Sequence, residues 1–226
     1  IRRRLASNKG LKANQRLVEY FKNTERPPRI VYVSGSLVYG NQAPGSFALE
    51  TSVISPIAYA KDYIRAERPW IEAQKTIPAW VQLARPGWIL GPGSWFKTFF
   101  WDHFMETGTV PLYGTGNQQM SLIHNQDLAR ALVKIPESGE KAYNLFAAEP
   151  ISQGEFSSLM SNLLGSKIQH IPINEVKRKW GQAAAQALGS SIPMATNNRD
   201  FLNQVDFEFP TPDLMLRSTL AVLKGE

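Results

Sequence analysis

Residues 29–40 read RIVYVSGSLVYG, and the fold turns on them. The run Ile30-Val31-Tyr32-Val33 is apolar and mostly β-branched, and Gly35 closes it, which reads as a buried strand. Pro27 and Pro28 precede it and stop an amphipathic helix over residues 11–23, where Leu11, Leu17, Val18 and Phe21 fall at helical spacing. Downstream, residues 41–56 are rich in Gly, Pro and Ser and predict a loop. Residues 57–74 predict a second helix, which Pro69 should kink or interrupt.

The alternation continues to the C-terminus. A short apolar strand is expected over 80–84 and an aromatic helix over 96–106. Residues 120–124 predict a strand feeding a helix, with Asp127 as its N-cap. YNLFA, residues 143–147, reads as another strand. Ser152 and Glu155 form the pattern of a capping box for a helix that Gly165 ends. KIQHIPI, residues 167–173, resembles a strand. From Asn174 onward the chain reads as mostly helical, with a loop over 190–198 and a last helix from Pro212 to Lys224. Helices alternating with strands imply a layered α/β domain with a mostly parallel sheet.

Composition narrows the chemistry. The chain has 226 residues, 43% apolar and 19% charged, as in an ordinary globular protein. It has no cysteine, so disulfides, thiolate metal sites and thiol nucleophiles are excluded. His103, His124 and His170 lack the close spacing of a ligand pair, and no metal site is expected. The net charge of +6 favours anionic partners, but the charges are scattered apart from the run Arg2-Arg3-Arg4. No apolar stretch approaches a membrane span and no signal-peptide core is present, so a cytoplasmic setting without membrane contact is the expectation. The sequence begins with Ile1, which reads as a processed chain or a piece of a longer one.

Four stretches in order carry a resemblance: RIVYVSGSLVYG (29–40), SPIAYAKDYIRAE (55–67), ARPGWILGPGSWF (84–96) and SLIHNQDLARAL (121–132). Together they resemble the extended short-chain dehydrogenase/reductases, specifically the NAD-dependent epimerase/dehydratase group. FEFPTPDLMLRSTLAVL (207–223) is similar to that family's closing helix. The resemblance implies the C-terminal portion of a Rossmann-like doubly wound parallel sheet with a smaller α/β substrate lobe. Residues 1–95 would belong to the nucleotide-binding domain. Residues 96–226 would form the lobe, returning to the Rossmann domain near 118–135 and 140–148. Residues 31–34 must then lie parallel beside residues 81–84. The family's opening glycine-rich turn, which holds the cofactor pyrophosphate, has no counterpart here. Without the strands before it, residues 30–34 would form an exposed sheet edge, completed by a missing N-terminal segment or a second copy in a homodimer.

The resemblance also implies NAD or NADP as cofactor and a carbonyl or alcohol carbon as reacting centre, with a nucleotide sugar as candidate substrate. The family's tyrosine falls on Tyr59. Its activating lysine falls on Tyr63, with Glu67 one turn further in the family's register. Lys61 is rotated about 200° from Tyr59 and does not substitute. The family's serine or threonine falls on Gly35, flanked by Ser34 and Ser36. Strand alternation would turn both hydroxyls away from the site, unless a bulge after Gly35 brings Ser36 back as a catalytic hydroxyl. Cofactor contacts are implied for Ser34, Gly35, Tyr59, Pro86, Gly87 and Ile89. Substrate contacts are implied for Trp95, Phe96, Arg199 and Arg217.

Each assignment has a plainer counterpart. Tyr59 is either a proton donor or a packing residue between helix and sheet, and the aromatics from Trp88 to Trp101 are either a stacking surface or core. The protein as a whole reads as an oxidoreductase, as a catalytically degenerate nucleotide-binding or scaffold protein of the same fold, or, further off, as an RNA binder.

Overall fold

The computed structural model describes residues 2–76 and 81–225, with side chains described from Asn8 onward. Its organising element is a three-stranded parallel sheet in the order β1 (Ile30–Val33), β2 (Val81–Pro86), β7 (Ala142–Leu145). Ile30 pairs with Val81 and Val33 with Ala84, and the Ser34 N–H extends the pairing to Ala84 O at 2.8 Å. The parallel alignment expected of residues 31–34 and 81–84 is therefore present. Trp80, placed at the start of this strand by the sequence, lies outside the described residues.

β2 is the central strand and every residue in it is buried. Its alternate side chains enter different clusters. Val81 and Leu83 pack with Val18 of α1 (Arg2–Lys22) and with Trp70 and Ala73 of α2 (Lys61–Thr76). Ala84 packs with Ile123, Tyr143 and Leu145 and with Leu128 and Ala131 of α4 (Asn125–Lys134). Period-two alternation in a strand with helices on both faces produces this layering. β1 is an edge, and Val33 there is 44% exposed.

From β2 the chain turns into β3 (Trp88–Leu90), enters a second lobe, and returns as β6 (Leu122–His124), which pairs with β3 in parallel. The lobe holds α3 (Asp102–Thr107), β4 (Thr109–Tyr113), β5 (Gln119–Met120), β8 (Ile151–Ser152), α5 (Gln153–Leu164) and β9 (Lys167–Ile171). β4 pairs with β9 in parallel, and β5 with β8 antiparallel. α6 (Ile173–Trp180), α7 (Gln182–Leu188), α8 (Arg199–Gln204) and α9 (Pro212–Lys224) complete the chain. Phe96, Phe100 and Phe156 are fully buried at the lobe's centre, with Phe100 and Phe156 edge-to-face at 5.1 Å.

Several local expectations hold and others shift. Ser152 and Glu155 form the full reciprocal capping box, and Gly165 closes α5 in the left-handed conformation. α2 runs through Pro69 without stopping. Losing a backbone bond there costs about 3 kcal/mol. Burying Trp70 and Ala73 beyond it, with Gln74 donating to Val81 O and Lys141 O, offsets that cost. α1 starts at Arg2, well before residue 11, so the Arg2–Arg4 run lies on its first turn, with those side chains outside the described residues. The N-cap of α4 is His124, whose Nδ1 accepts the Gln126 N–H at 3.4 Å, and not Asp127. Asp127 is instead fully buried, where its two oxygens accept the amides of Glu208 and Phe209. β4 was not visible in the sequence because Pro111 interrupts it; a two-stranded pairing leaves one side open and tolerates proline. Among the described residues no helix is long and apolar enough to cross a membrane.

Burial lowers the pKa of His124, which stacks on Phe209 at 4.0 Å, against the opposing pull of Asp127 and Glu208. Burial also lowers that of His103, which hydrogen-bonds Gln169. A histidine whose folded pKa is depressed binds its proton more readily in the unfolded chain. Its stabilisation is complete above the ordinary value of 6.5 and falls as pH drops below that value. Thermal unfolding should show a melting temperature that declines between about pH 7 and pH 5, and the double variant His103→Gln/His124→Asn should flatten the decline.

Candidate active site

The site forms where the sheet's C-terminal edge meets the second lobe. β1 ends at Val33, Gly35 is extended (φ −179°), and a 3-10 turn runs from Ser36 to Val38. Strand alternation therefore stops before Ser36, and Ser34, Gly35 and Ser36 all line one cleft. No bulge is needed for this. Gly40 adopts φ 75°, and a Cβ there would lie 2.1 Å from Ser55 O, so glycine allows the two loops to cross. A 3-10 turn, Ala58–Ala60, leads into α2 and carries Tyr59. The Tyr59 N–H donates to Gln186 Oε1 on α7 at 3.1 Å, fixing the turn against the lobe.

Tyr59 and Tyr63 share a helical face, as their spacing requires. The Tyr63 hydroxyl donates to the Tyr59 oxygen at 3.1 Å, and their rings meet edge-to-face at 5.5 Å. Lys61 is exposed and absent from the cleft lining. The cleft encloses about 440 Å³. Pro86, Gly87 and Ile89 form one wall, and Trp88, Trp95, Phe99 and Trp180 supply rings. The rings meet as two edge-to-face pairs, Trp88–Trp95 at 4.4 Å and Phe99–Trp180 at 5.3 Å. Ala183, Ala184 and Ala187 present the small face of α7. A Cβ at Gly87 would lie 2.2 Å from Ser121 O, so only glycine lets the β2–β3 bend approach β6. The amides of Gly87 and Trp88 are committed to Leu145 O and Ser121 O.

Other sequence candidates lie elsewhere. Phe96 is fully buried in the lobe core and is not on the lining. Arg199 sits at the start of α8 over the Phe146 ring at 5.9 Å, and Arg217 pairs with Asp213 at 2.7 Å on the exposed side of α9. Neither arginine lines the cleft.

Beneath the cleft lies a buried polar network that the sequence reading did not assemble. Glu67 is fully buried, accepting the Ser34 hydroxyl at 2.6 Å and Arg85 Nη2 at 2.6 Å. Arg85 Nη1 donates to the Tyr39 oxygen at 3.2 Å, and Tyr39 donates to Asn144 Oδ1 at 2.6 Å. Burial raises the Tyr39 pKa, with Arg85 opposing; the phenol stays protonated and able to donate. Asn144 holds Ala48 O and Ala195 O, and its own amide donates to Glu50. The signal was available. Glu67 falls on the face of α2 that carries Ile64, Trp70 and Ala73, and an arginine inside an all-buried strand demands an acidic partner.

A parallel sheet with helices on both faces, and a cleft at the C-terminal strand ends, defines a Rossmann-like fold. The model of the NAD dependent epimerase/dehydratase family matches residues 5–145, and the chain belongs to that family. Its fold is similar to dTDP-glucose 4,6-dehydratase from Bacillus anthracis in complex with NAD (TM-score 0.77, 19% identity), covering 97% of this chain and 69% of that one. It is also similar to the human epimerase family protein SDR39U1 with NADPH (TM-score 0.75, 21% identity), covering 94% and 72%. A curated relative, the uncharacterized protein y4nG of Sinorhizobium fredii, is 27% identical over 169 residues. That match takes in 73% of this chain and 43% of the relative, so the chain spans less than half of y4nG.

Removing one partner of a buried ion pair strands the other charge, at about 3–5 kcal/mol. Glu67→Ala should destabilise the protein by roughly that amount in chemical denaturation. Glu67→Met/Arg85→Met, which removes both charges, should lie much closer to the parent; equal losses would show that the pair's charge balance is not what matters.

Proposed function

We propose that the cleft is the reaction site of an NAD(P)-dependent oxidoreductase of epimerase/dehydratase type, acting on a carbonyl or alcohol carbon. The observation that carries this reading is the Tyr59 phenol at the cleft, receiving a hydrogen bond from Tyr63 at 3.1 Å. A phenol near pKa 10 exchanges protons usefully only if its anion is stabilised. A hydroxyl donor does this through one hydrogen bond, more weakly than the lysine the family pattern places there. Tyr59 is the proton donor and acceptor for the substrate oxygen, and Ser36 is the hydroxyl that orients that oxygen. Ser34 donates to Glu67 and serves as a link between the cleft and the buried network.

A nicotinamide, when bound, supplies a hydride to the carbonyl carbon or takes one from the alcohol carbon. The lining suits its flat ring: Gly35 leaves open space, since a Cβ there meets nothing within 4 Å, and Pro86, Gly87 and Ile89 offer an apolar wall. The pyrophosphate end needs residues beyond this cleft. Residues 1–95 serve the nucleotide side and 96–226 the substrate side, apart from the returns to the Rossmann domain near 118–135 and 140–148. The open side of β1 is where a further strand, from elsewhere in the same polypeptide or from a second copy, completes the sheet. Nucleotide sugars are the first substrates that the dehydratase likeness suggests.

A second reading, a nucleotide-binding protein without turnover, is favoured by Gly35 and Tyr63 at two of the family's three catalytic positions. Two variants separate the readings in the full-length polypeptide, with NAD(P)H absorbance as readout. Tyr59→Phe should lower turnover by about 10²–10⁴-fold. Tyr63→Lys, which sets a cation beside the Tyr59 hydroxyl, should raise the oxidation rate of the parent at neutral pH. Tight cofactor binding with no turnover in the parent protein, unrescued by Gly35→Ser/Tyr63→Lys, would establish the second reading.

A further inference from the structure

Among the described residues, no Asp, Glu, Lys, Arg or His side chain lines the cleft. Its polar side-chain groups are the hydroxyls of Ser34, Ser36, Tyr59 and Tyr63, one of which already donates to Glu67, and the indole N–H groups of Trp88, Trp95 and Trp180. The rest of its lining is glycine or apolar. The pyrophosphate of a linked sugar would, like the cofactor's, have to lie beyond this lining, where cations or free amides replace water. The Gly87 and Trp88 amides are already bonded within the fold, and Arg199 and Arg217 lie outside the lining. A groove with excess positive charge does exist, where Lys12, Arg16, Lys22, Arg65 and Arg68 outnumber Glu19 and Glu72. It runs between α1 and α2 and shares no lining residue with the cleft.

The ring-bearing walls suit a different guest. Trp95 and Phe99 are held in place by Trp88 and Trp180 through edge-to-face contacts, which leaves their geometry fixed before any ligand arrives. Fixed aromatic faces beside small alanines form a slot for a flat apolar body, and the hydroxyls set the place of a single oxygen. We infer that the cleft takes as substrate an uncharged aromatic ketone or aldehyde, or the matching alcohol. The fate of its oxygen rests on the oxidoreductase reading above; its binding does not.

The test is calorimetric titration of the full-length polypeptide with 1-tetralone, an uncharged bicyclic aromatic ketone, and with UDP-glucose, each with and without NADP. Saturable tetralone binding that is insensitive to salt is the expected result. Trp180→Leu should weaken tetralone about tenfold. Ala184→Phe, which fills the slot from α7, should weaken it at least as much, with circular dichroism checking that each variant folds. UDP-glucose binding that tetralone does not match, or unchanged tetralone affinity in a folded variant, overturns the inference. Tetralone binding without NAD(P)H consumption leaves the inference standing and removes the oxidoreductase reading. NAD(P)H-dependent turnover of a nucleotide sugar without tetralone binding does the reverse.

Discussion

The Glu67–Arg85 ion pair is the constraint around which the site is arranged. Glu67 comes from α2 and Arg85 from the central strand, and neither charge reaches solvent. Two buried charges are tolerable only when each is matched and hydrogen-bonded, so the helix can dock on the sheet in few other registers. Through Ser34 the pair reaches the end of β1. Through Tyr39 and Asn144 it reaches β7 and the loops at Ala48 and Ala195. The segments that frame the cleft thus meet at one polar knot rather than through apolar packing alone.

That knot also explains how an uncharged cleft sits directly above charged groups. The Glu67 carboxylate is satisfied from below by Arg85 and from above by Ser34, so it presents no free oxygen to the cleft. The result is a site whose side-chain polarity comes from hydroxyls and indole N–H groups. Tyr63 continues the pattern: it places a neutral donor beside Tyr59.

Much of the architecture was legible in the sequence. Ile30–Val33, the capping box at Ser152 and Glu155, and the alternation of helix and strand follow from local patterns with few competing outcomes. The failures have physical causes. Pro69 was read as a breaker because its local cost is known, whereas the burial of Trp70 and Gln74 that outweighs it is a tertiary fact. Asp127 looked like a cap because it stood near a helix start; its buried amide partners, Glu208 and Phe209, lie far along the chain. Tyr59, Tyr63 and Glu67 could be placed by spacing within one helix. For Arg85 the only signal was the cost of burying its charge, because its partner lies on a different element. The cleft's aromatic wall was half legible: Trp95 and Phe96 are adjacent, yet one faces the cleft and the other the core.

One further feature bears on how this cleft can change. Residues 97–101 form a π-helical turn between Phe96 and α3, and Phe99, within it, reaches the cleft while Phe100 enters the core. A π turn contains one residue more than the α-helical path it replaces. Shortening it by a single residue would rotate the ring by about 100° relative to its neighbours while leaving the parallel sheet and its polar knot untouched. The lining of the cleft and the scaffold beneath it are therefore separable: loss or gain of one residue in this turn alters the first and spares the second.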